Sequence, residues 1–167
     1  MSDTLFPADM AQRAANLLEA ARAAGLKIAT AESCTGGLVA GLLTEIPGSS
    51  AVVDRGFVTY SNEAKQAMLG VPAALITAHG AVSAEVALAM CLGAIAHSDA
   101  DLAVSITGVA GPGGGSAEKP VGLVQFGLAR RGGEACTVEM RFGDPGRAGI
   151  RLAAVNTALD LLASALA

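Results

Sequence analysis

At 167 residues, with 52% hydrophobic and 16% charged side chains, the chain has the length of one domain, expected over 1–167, and enough apolar surface to exclude extended disorder. A net charge of −4, scattered Lys and Arg and only 3% aromatic residues argue against a nucleic-acid binder, which needs a basic face or stacking platforms. The longest apolar run, 86–96, is shorter than the ~18 residues of a membrane span, no charged-then-apolar leader opens the sequence, and Cys34, Cys91 and Cys136 form an odd set without a close pair, so a cytoplasmic protein is expected.

In chain order, 7–24 carries an apolar stripe at Met10, Ala14, Leu17, Leu18 and Ala21 and predicts a helix that Gly25 ends. A strand is expected over 26–31, and a helix over 34–45 that begins within Thr35-Gly36-Gly37 and stops before Pro47. After Gly48-Ser49-Ser50 the segment 51–60 is β-like, and Ser61 caps a short helix over 62–69 that Gly70 and Pro72 break. His79 then reads as a turn residue. Ser83, with Glu85 in the first turn, opens a helix to about His97, and branched residues over 102–107 predict a strand. Beyond the glycine-rich loop 108–120, strands over 121–129 and 135–142 form a hairpin about Arg131-Gly132-Gly133, and Asp144-Pro145 starts a last helix. Helices alternating with strands, closed by a hairpin, predict an α/β fold with a mixed sheet covered by helices on both faces.

Two glycine-rich turns follow strands, 33–37 and 107–115, and in open α/β sheets ligands bind at the strands' C-terminal edge. At the first turn the amides of a helix N-terminus are expected to hold a phosphate or a developing oxyanion, which makes Thr35, Gly36 and Gly37 candidate binding residues. Neither turn is a Walker loop or a dinucleotide fingerprint. The sole tyrosine, Tyr60, ends a strand one helical turn before Lys65; the helix dipole and partial burial disfavour an ammonium there and suit Lys65 to general-base work, with Tyr60 as a proton relay. Ser33, Ser50 and Thr107 are the hydroxyls placed to meet such a base, with Ser33 the first choice of nucleophile and Ser50 the second. Cys34 supports a rival thiolate nucleophile. No ligand spacing for a metal occurs, and no cofactor is expected. Arg147, in the first turn of the last helix, is a candidate phosphate ligand, and Arg55 is expected to pair with Asp54 or to support a subunit contact.

The ordered motifs Thr30-Ala31-Glu32-Ser33-Cys34-Thr35-Gly36-Gly37, Gly48-Ser49-Ser50, Gly56-Phe57-Val58-Thr59-Tyr60-Ser61-Asn62-Glu63-Ala64-Lys65, His79-Gly80-Ala81-Val82-Ser83, the 107–115 loop with Thr107, Gly108 and Gly111, Glu118-Lys119-Pro120-Val121-Gly122, and Arg147 together resemble the nicotinamide-nucleotide amidohydrolases, also known as the C-terminal domain of the competence-damage-inducible protein CinA. The resemblance covers almost the whole chain. It implies a three-layer α/β/α sandwich, a bacterial source, and hydrolysis of nicotinamide mononucleotide to nicotinic acid mononucleotide and ammonia in pyridine nucleotide salvage. It also implies functional positions at Ser33, Ser50, Tyr60, Lys65, Thr107 and Arg147. The pyrophosphatase activity linked to an additional N-terminal domain in many relatives is not expected of this chain. Two rival readings stand beside the enzyme: a non-catalytic nucleotide-binding module tied to a competence or DNA-damage partner, and a structural subunit whose apolar surface forms a homo-oligomer.

Overall fold

The computed structural model describes residues 3–167. Helix α1 (Ala8–Ala23) buries Met10, Ala14, Leu17, Leu18 and Ala21, the stripe that the 3.6-residue period marks out. Strand β1 (Ile28–Glu32) follows and is buried throughout. Helix α2 (Leu38–Glu45) begins four residues later than expected, because Gly36 and Gly37 adopt left-handed conformations, φ 57° and 97°, that no right-handed helix can include. A 3-10 turn over Ser49–Ala51 leads into β2 (Val53–Val58), and α3 (Asn62–Leu69) is capped by Ser61 Oγ, which accepts from the Ala64 amide at 3.0 Å.

Helix α4 (Ala73–His79) was not expected. Pro72 reads as a breaker, yet it stands at the N-cap, where a missing N–H costs nothing, and His79 is the last helical residue rather than part of a turn. Ser83 caps α5 (Ala84–Ala96) as anticipated, and β3 (Leu102–Gly108), β4 (Leu123–Arg130) and β5 (Ala135–Arg141) lead to α6 (Arg147–Ser164). The last helix starts after Asp144, whose carboxylate accepts from the Gly146 amide.

The five strands form one mixed sheet in the order β2-β1-β3-β4-β5, with β1 parallel to β2 and β3, and β4 antiparallel to both β3 and β5. Strand alternation divides the core between the sheet's two faces. Ile28, Leu102, Val104, Ile106, Val124 and Phe126 pack with α1, α2 and α6, whereas Ala29, Ala31, Phe57 and Ala103 pack with α3, α4 and α5. Small residues on the second face let α5 approach closely: a Cβ at Gly127 would lie 2.5 Å from the Ala87 carbonyl oxygen. The result is the three-layer α/β/α sandwich. Among the described residues no helix is long and apolar enough to cross a membrane.

The C-terminal ends of the parallel strands β1, β2 and β3 share one edge of the sheet, and the residues that follow each of them meet there. The turn before β2 lies at the opposite edge. This polarity decides which of the candidate serines can meet Lys65.

Candidate active site

β1 delivers Ser33 to the sheet edge, where its amide donates to Ile106 O at 2.9 Å, while the Thr59 amide donates to Glu32 O at 2.9 Å. The turn is thereby tied to the ends of β3 and β2. From the first turn of α3, Lys65 reaches back toward those ends, the direction in which helical side chains tilt. Its side chain is almost wholly enclosed, at 1% exposure, and its Nζ lies 3.0 Å from Ser33 Oγ, 2.9 Å from Thr59 O and 3.3 Å from Tyr60 O. Among the described residues no carboxylate pairs with it.

A buried amine without a counter-ion is costly to charge. Burial therefore holds the Lys65 pKa below its ordinary 10.5, and a smaller influence of the neighbouring Cys34 sulfur acts in the other direction. The three neighbours suit the neutral form. As an ammonium, Lys65 donates to Ser33 Oγ and to the carbonyls of Thr59 and Tyr60; once deprotonated, its two N–H groups can keep both carbonyls and its lone pair can accept from the Ser33 hydroxyl.

The first glycine-rich turn differs from expectation: Thr35, Gly36 and Gly37 do not line the cavity beside Ser33, and the Val39 and Ala40 amides at the start of α2 are not open to a ligand. The helix N-terminus is already filled by the protein itself. The Glu32 carboxylate, fully buried, accepts from the amides of Val39 at 2.9 Å and Ala40 at 3.1 Å, and from the hydroxyls of Thr35 at 2.7 Å and Thr30 at 3.3 Å. An internal carboxylate at the positive end of α2 satisfies the amides that a phosphate would otherwise take. Thr35 is enclosed, and the Gly36 amide donates to Ser33 O at 3.0 Å. The amides of Cys34, Thr35 and Gly37 have no carbonyl or carboxylate acceptor among the described residues, and that of Cys34 stands beside the serine.

In front of Ser33 and Lys65 lies a cavity of about 270 Å³, lined also by Cys34, Tyr60, Asn62, Val82 and the loop that carries Thr107, Gly108 and Gly111. Thr107 Oγ1 donates to Ala81 O at 2.9 Å and so ties β3 to the loop before α5. Gly108 must lack a side chain, since a Cβ would sit 2.9 Å from Leu123 O and 2.8 Å from the Val124 side chain. Arg147, the first residue of α6, closes the mouth: its Nη1 donates to Gly111 O at 2.7 Å and its Nη2 to the Tyr60 phenol at 3.3 Å.

Tyr60 thus meets Lys65 through its backbone carbonyl, while its ring, 62% exposed, stands at the rim beside Arg147 instead of relaying a proton to the amine. Ser50 is a second correction. It is exposed in the turn before β2, at the sheet edge away from Lys65, and it does not line the cavity. Cys34 does line it, but burial pushes the thiol up to about 11, so a thiolate is disfavoured. Arg55 pairs with Asp54 at 2.7 Å and also donates to His97 O at 2.9 Å.

Sequence reasoning gave no role to Glu32 or Arg151. Arg151 Nε donates to Cys34 O at 3.1 Å and its Nη2 to Thr35 O at 3.2 Å. Both had signals: Glu32 shares strand parity with Ile28, which faces α2, and Arg151 follows Arg147 by one helical turn.

A family model, the CinA C-terminal domain, matches residues 10–166. Over 145 residues the chain is 52% identical to the nicotinamide-nucleotide amidohydrolase PncC of Escherichia coli K12, covering 86% of this chain and 87% of that protein. It is 60% identical over 108 residues, 65% of the chain, to a putative competence-damage inducible protein of Symbiobacterium thermophilum. The chain spans 25% to 39% of the length of the competence-damage and CinA-like relatives it matches. The crystal structure of the competence/damage inducible protein CihA from Agrobacterium tumefaciens superposes with a TM-score of 0.94 at 56% identity, covering 96% of this chain and 98% of that one. With sequence and architecture in agreement along nearly its whole length, this chain belongs to the CinA C-terminal domain family.

Proposed function

We propose that the protein is a serine-dependent amidase that hydrolyses the carboxamide of nicotinamide mononucleotide to nicotinic acid mononucleotide and ammonia, within the cytoplasmic salvage of pyridine nucleotides. The observation that carries this reading is the Lys65 amine, buried without a carboxylate partner and 3.0 Å from Ser33 Oγ. A serine hydroxyl is a poor nucleophile until a base takes its proton, and a lysine is a competent base only when its pKa is lowered. Here both requirements meet in one cavity. Relatives named for nicotinamide-nucleotide amidohydrolysis align over most of the chain, which supports the choice of substrate.

In the proposed reaction, Ser33 Oγ attacks the carboxamide carbon as its proton passes to Lys65 Nζ. A C–O bond forms, and the carbonyl electron pair moves onto oxygen. We assign the Cys34 amide, which lines the cavity beside Ser33 without an acceptor of its own, to that developing oxyanion, a task that unpaired amides perform well in an enclosed site. The C–N bond then breaks, Lys65 returns its proton to the departing nitrogen, and ammonia leaves an acyl ester on Ser33. Water attacks that ester with Lys65 again taking the proton, and collapse restores the serine hydroxyl and frees the acid.

Arg147 and the α6 N-terminus supply positive charge at the mouth of the cavity and suit the phosphate of a mononucleotide. The exposed Tyr60 ring beside them offers a face to a cationic pyridinium. The reading is tested by measuring ammonia release from nicotinamide mononucleotide with the purified protein. Release is expected, and a folded sample that yields none would count decisively against it.

A further inference from the structure

Arg147 and Arg151 stand one turn apart on the same face of α6 but serve different neighbours. Arg147 reaches the mouth of the cavity, at Gly111 O and the Tyr60 phenol. Arg151 reaches the turn that carries Ser33, where its one guanidinium meets two successive carbonyls, those of Cys34 and Thr35. The Ser33 carbonyl before them is held by the Gly36 amide. Three consecutive peptide units are thus anchored, two of them by the same side chain. Because the guanidinium is planar and its donors are fixed in a fork, holding two carbonyls sets the angle between two peptide planes, which a point charge cannot do as well.

Peptide planarity carries this anchoring into the cavity. In a trans peptide the N–H points opposite to the C=O of the same unit. With Ser33 O turned to Gly36, the Cys34 N–H points away from that contact, and among the described residues it meets no carbonyl or carboxylate acceptor. The next unit is held through Cys34 O, and Arg151 is the donor that holds it. Release of that unit would let the Cys34 dihedral angles drift and move the Ser33 hydroxyl and the Cys34 amide together. A second feature agrees. At Gly36, with φ 57°, an added Cβ would lie 3.3 Å from Arg151 Nη2, so a glycine there both permits the left-handed turn and leaves room for the guanidinium.

We propose that Arg151 is a positioning residue that acts through the carbonyls of Cys34 and Thr35 to keep the Ser33 hydroxyl and the Cys34 amide aligned with the Lys65 amine. The proposal rests on the reading of Ser33 as the acylated nucleophile. It separates two arginines of one helix into one that orders the chemistry, Arg151, and one that binds substrate, Arg147.

The test uses the full chain with Arg151→Ala and Arg151→Lys, and two readouts. One is kcat and KM for ammonia release from nicotinamide mononucleotide. The other is the rate at which a fluorophosphonate probe labels Ser33, followed by mass spectrometry. Loss of alignment by about 1 Å predicts that Arg151→Ala lowers kcat and the labelling rate together by about 10- to 100-fold while KM stays within about threefold. Arg151→Lys should be intermediate, and millimolar guanidinium ion should restore part of both rates to the alanine variant.

Unchanged kcat and labelling in the folded alanine variant, or a rise in KM alone, would overturn the proposal. If the alanine variant does not fold, the lysine variant decides: full labelling overturns the proposal, and slowed labelling at wild-type thermal stability supports it. Wild-type protein that is labelled at Ser33 yet releases no ammonia rejects the nicotinamide substrate alone, and the labelling rates still judge Arg151. Wild-type protein that is not labelled at Ser33 overturns both.

Discussion

The turn after β1 and the loop after β3 look alike as sequences, each a hydroxyl residue near a run of glycines at the end of a strand, but the fold holds them very differently. In the turn of residues 33–37 the chain ties down its own backbone: Glu32 takes the Val39 and Ala40 amides at the α2 N-terminus, Gly36 holds Ser33 O, and Arg151 holds the next two carbonyls. The loop beyond Thr107 is exposed from Pro112 to Glu118, and Cβ atoms at Gly113 and Gly114 would meet nothing within 4 Å. A turn anchored through its carbonyls can hold a reacting atom in place, whereas an open loop can admit and release a ligand. A glycine-rich turn before a helix is therefore an anion site only where the chain has not supplied its own anion.

The sharpest way to break this comparison is to remove the reacting groups from the rigid side. Ser33→Ala should abolish ammonia release, a fall of about 10⁴-fold or more, because the alcohol and its base act as a unit. Lys65→Ala should approach the same loss. The pH profile carries the sign. The protonated amine has no lone pair, so kcat/KM should rise with pH through a Lys65 pKa below 10.5, and a rate independent of pH across that range would remove Lys65 as the base. Stability should follow the same titration. The folded protein binds fewer protons than the unfolded chain between the lowered pKa and 10.5, so the stability of wild type relative to Lys65→Met should rise with pH across that window.

Glu32→Gln tests whether the rigid turn depends on the internal carboxylate. Replacing a charged acceptor of four hydrogen bonds by an amide that brings its own donors should cost on the order of 2–3 kcal/mol in urea unfolding. A variant as stable as wild type would show that the α2 amides find another partner. On the open side, Arg147→Ala should raise KM about 10- to 100-fold with a smaller change in kcat, as expected when a charge-assisted contact to a bound anion is lost. Equal loss in both turns would erase the distinction between them. The smallest effect belongs to Ser50→Ala. That side chain is exposed at the far edge of the sheet, so activity should stay within about twofold and stability within about 0.5 kcal/mol.

Much of this organisation is legible in the amino-acid order. Ser61 and Ser83 announce two helix starts, the stripe from Met10 to Ala21 announces the buried face of α1, and the glycines at 36–37 and 108–115 mark the two connections at the working edge. These signals act over a few residues, through caps, periodicity and φ, and so they survive translation into structure. The start of α2 was misplaced because two left-handed glycines outweigh the propensity of the residues that follow, and α4 was missed because a proline that ends one segment also begins the next.

What only the folded chain decided is who occupies whom. Ser33 and Ser50 have comparable local surroundings, but parallel strand direction brings the first to the edge where Lys65 waits and sends the second to the other edge. Likewise, no local rule says whether a helix N-terminus is left for a ligand or taken by a buried carboxylate from the preceding strand. Hydrogen-bond satisfaction and desolvation are settled by neighbours distant in sequence, and they act only once the sheet has gathered those neighbours and excluded water.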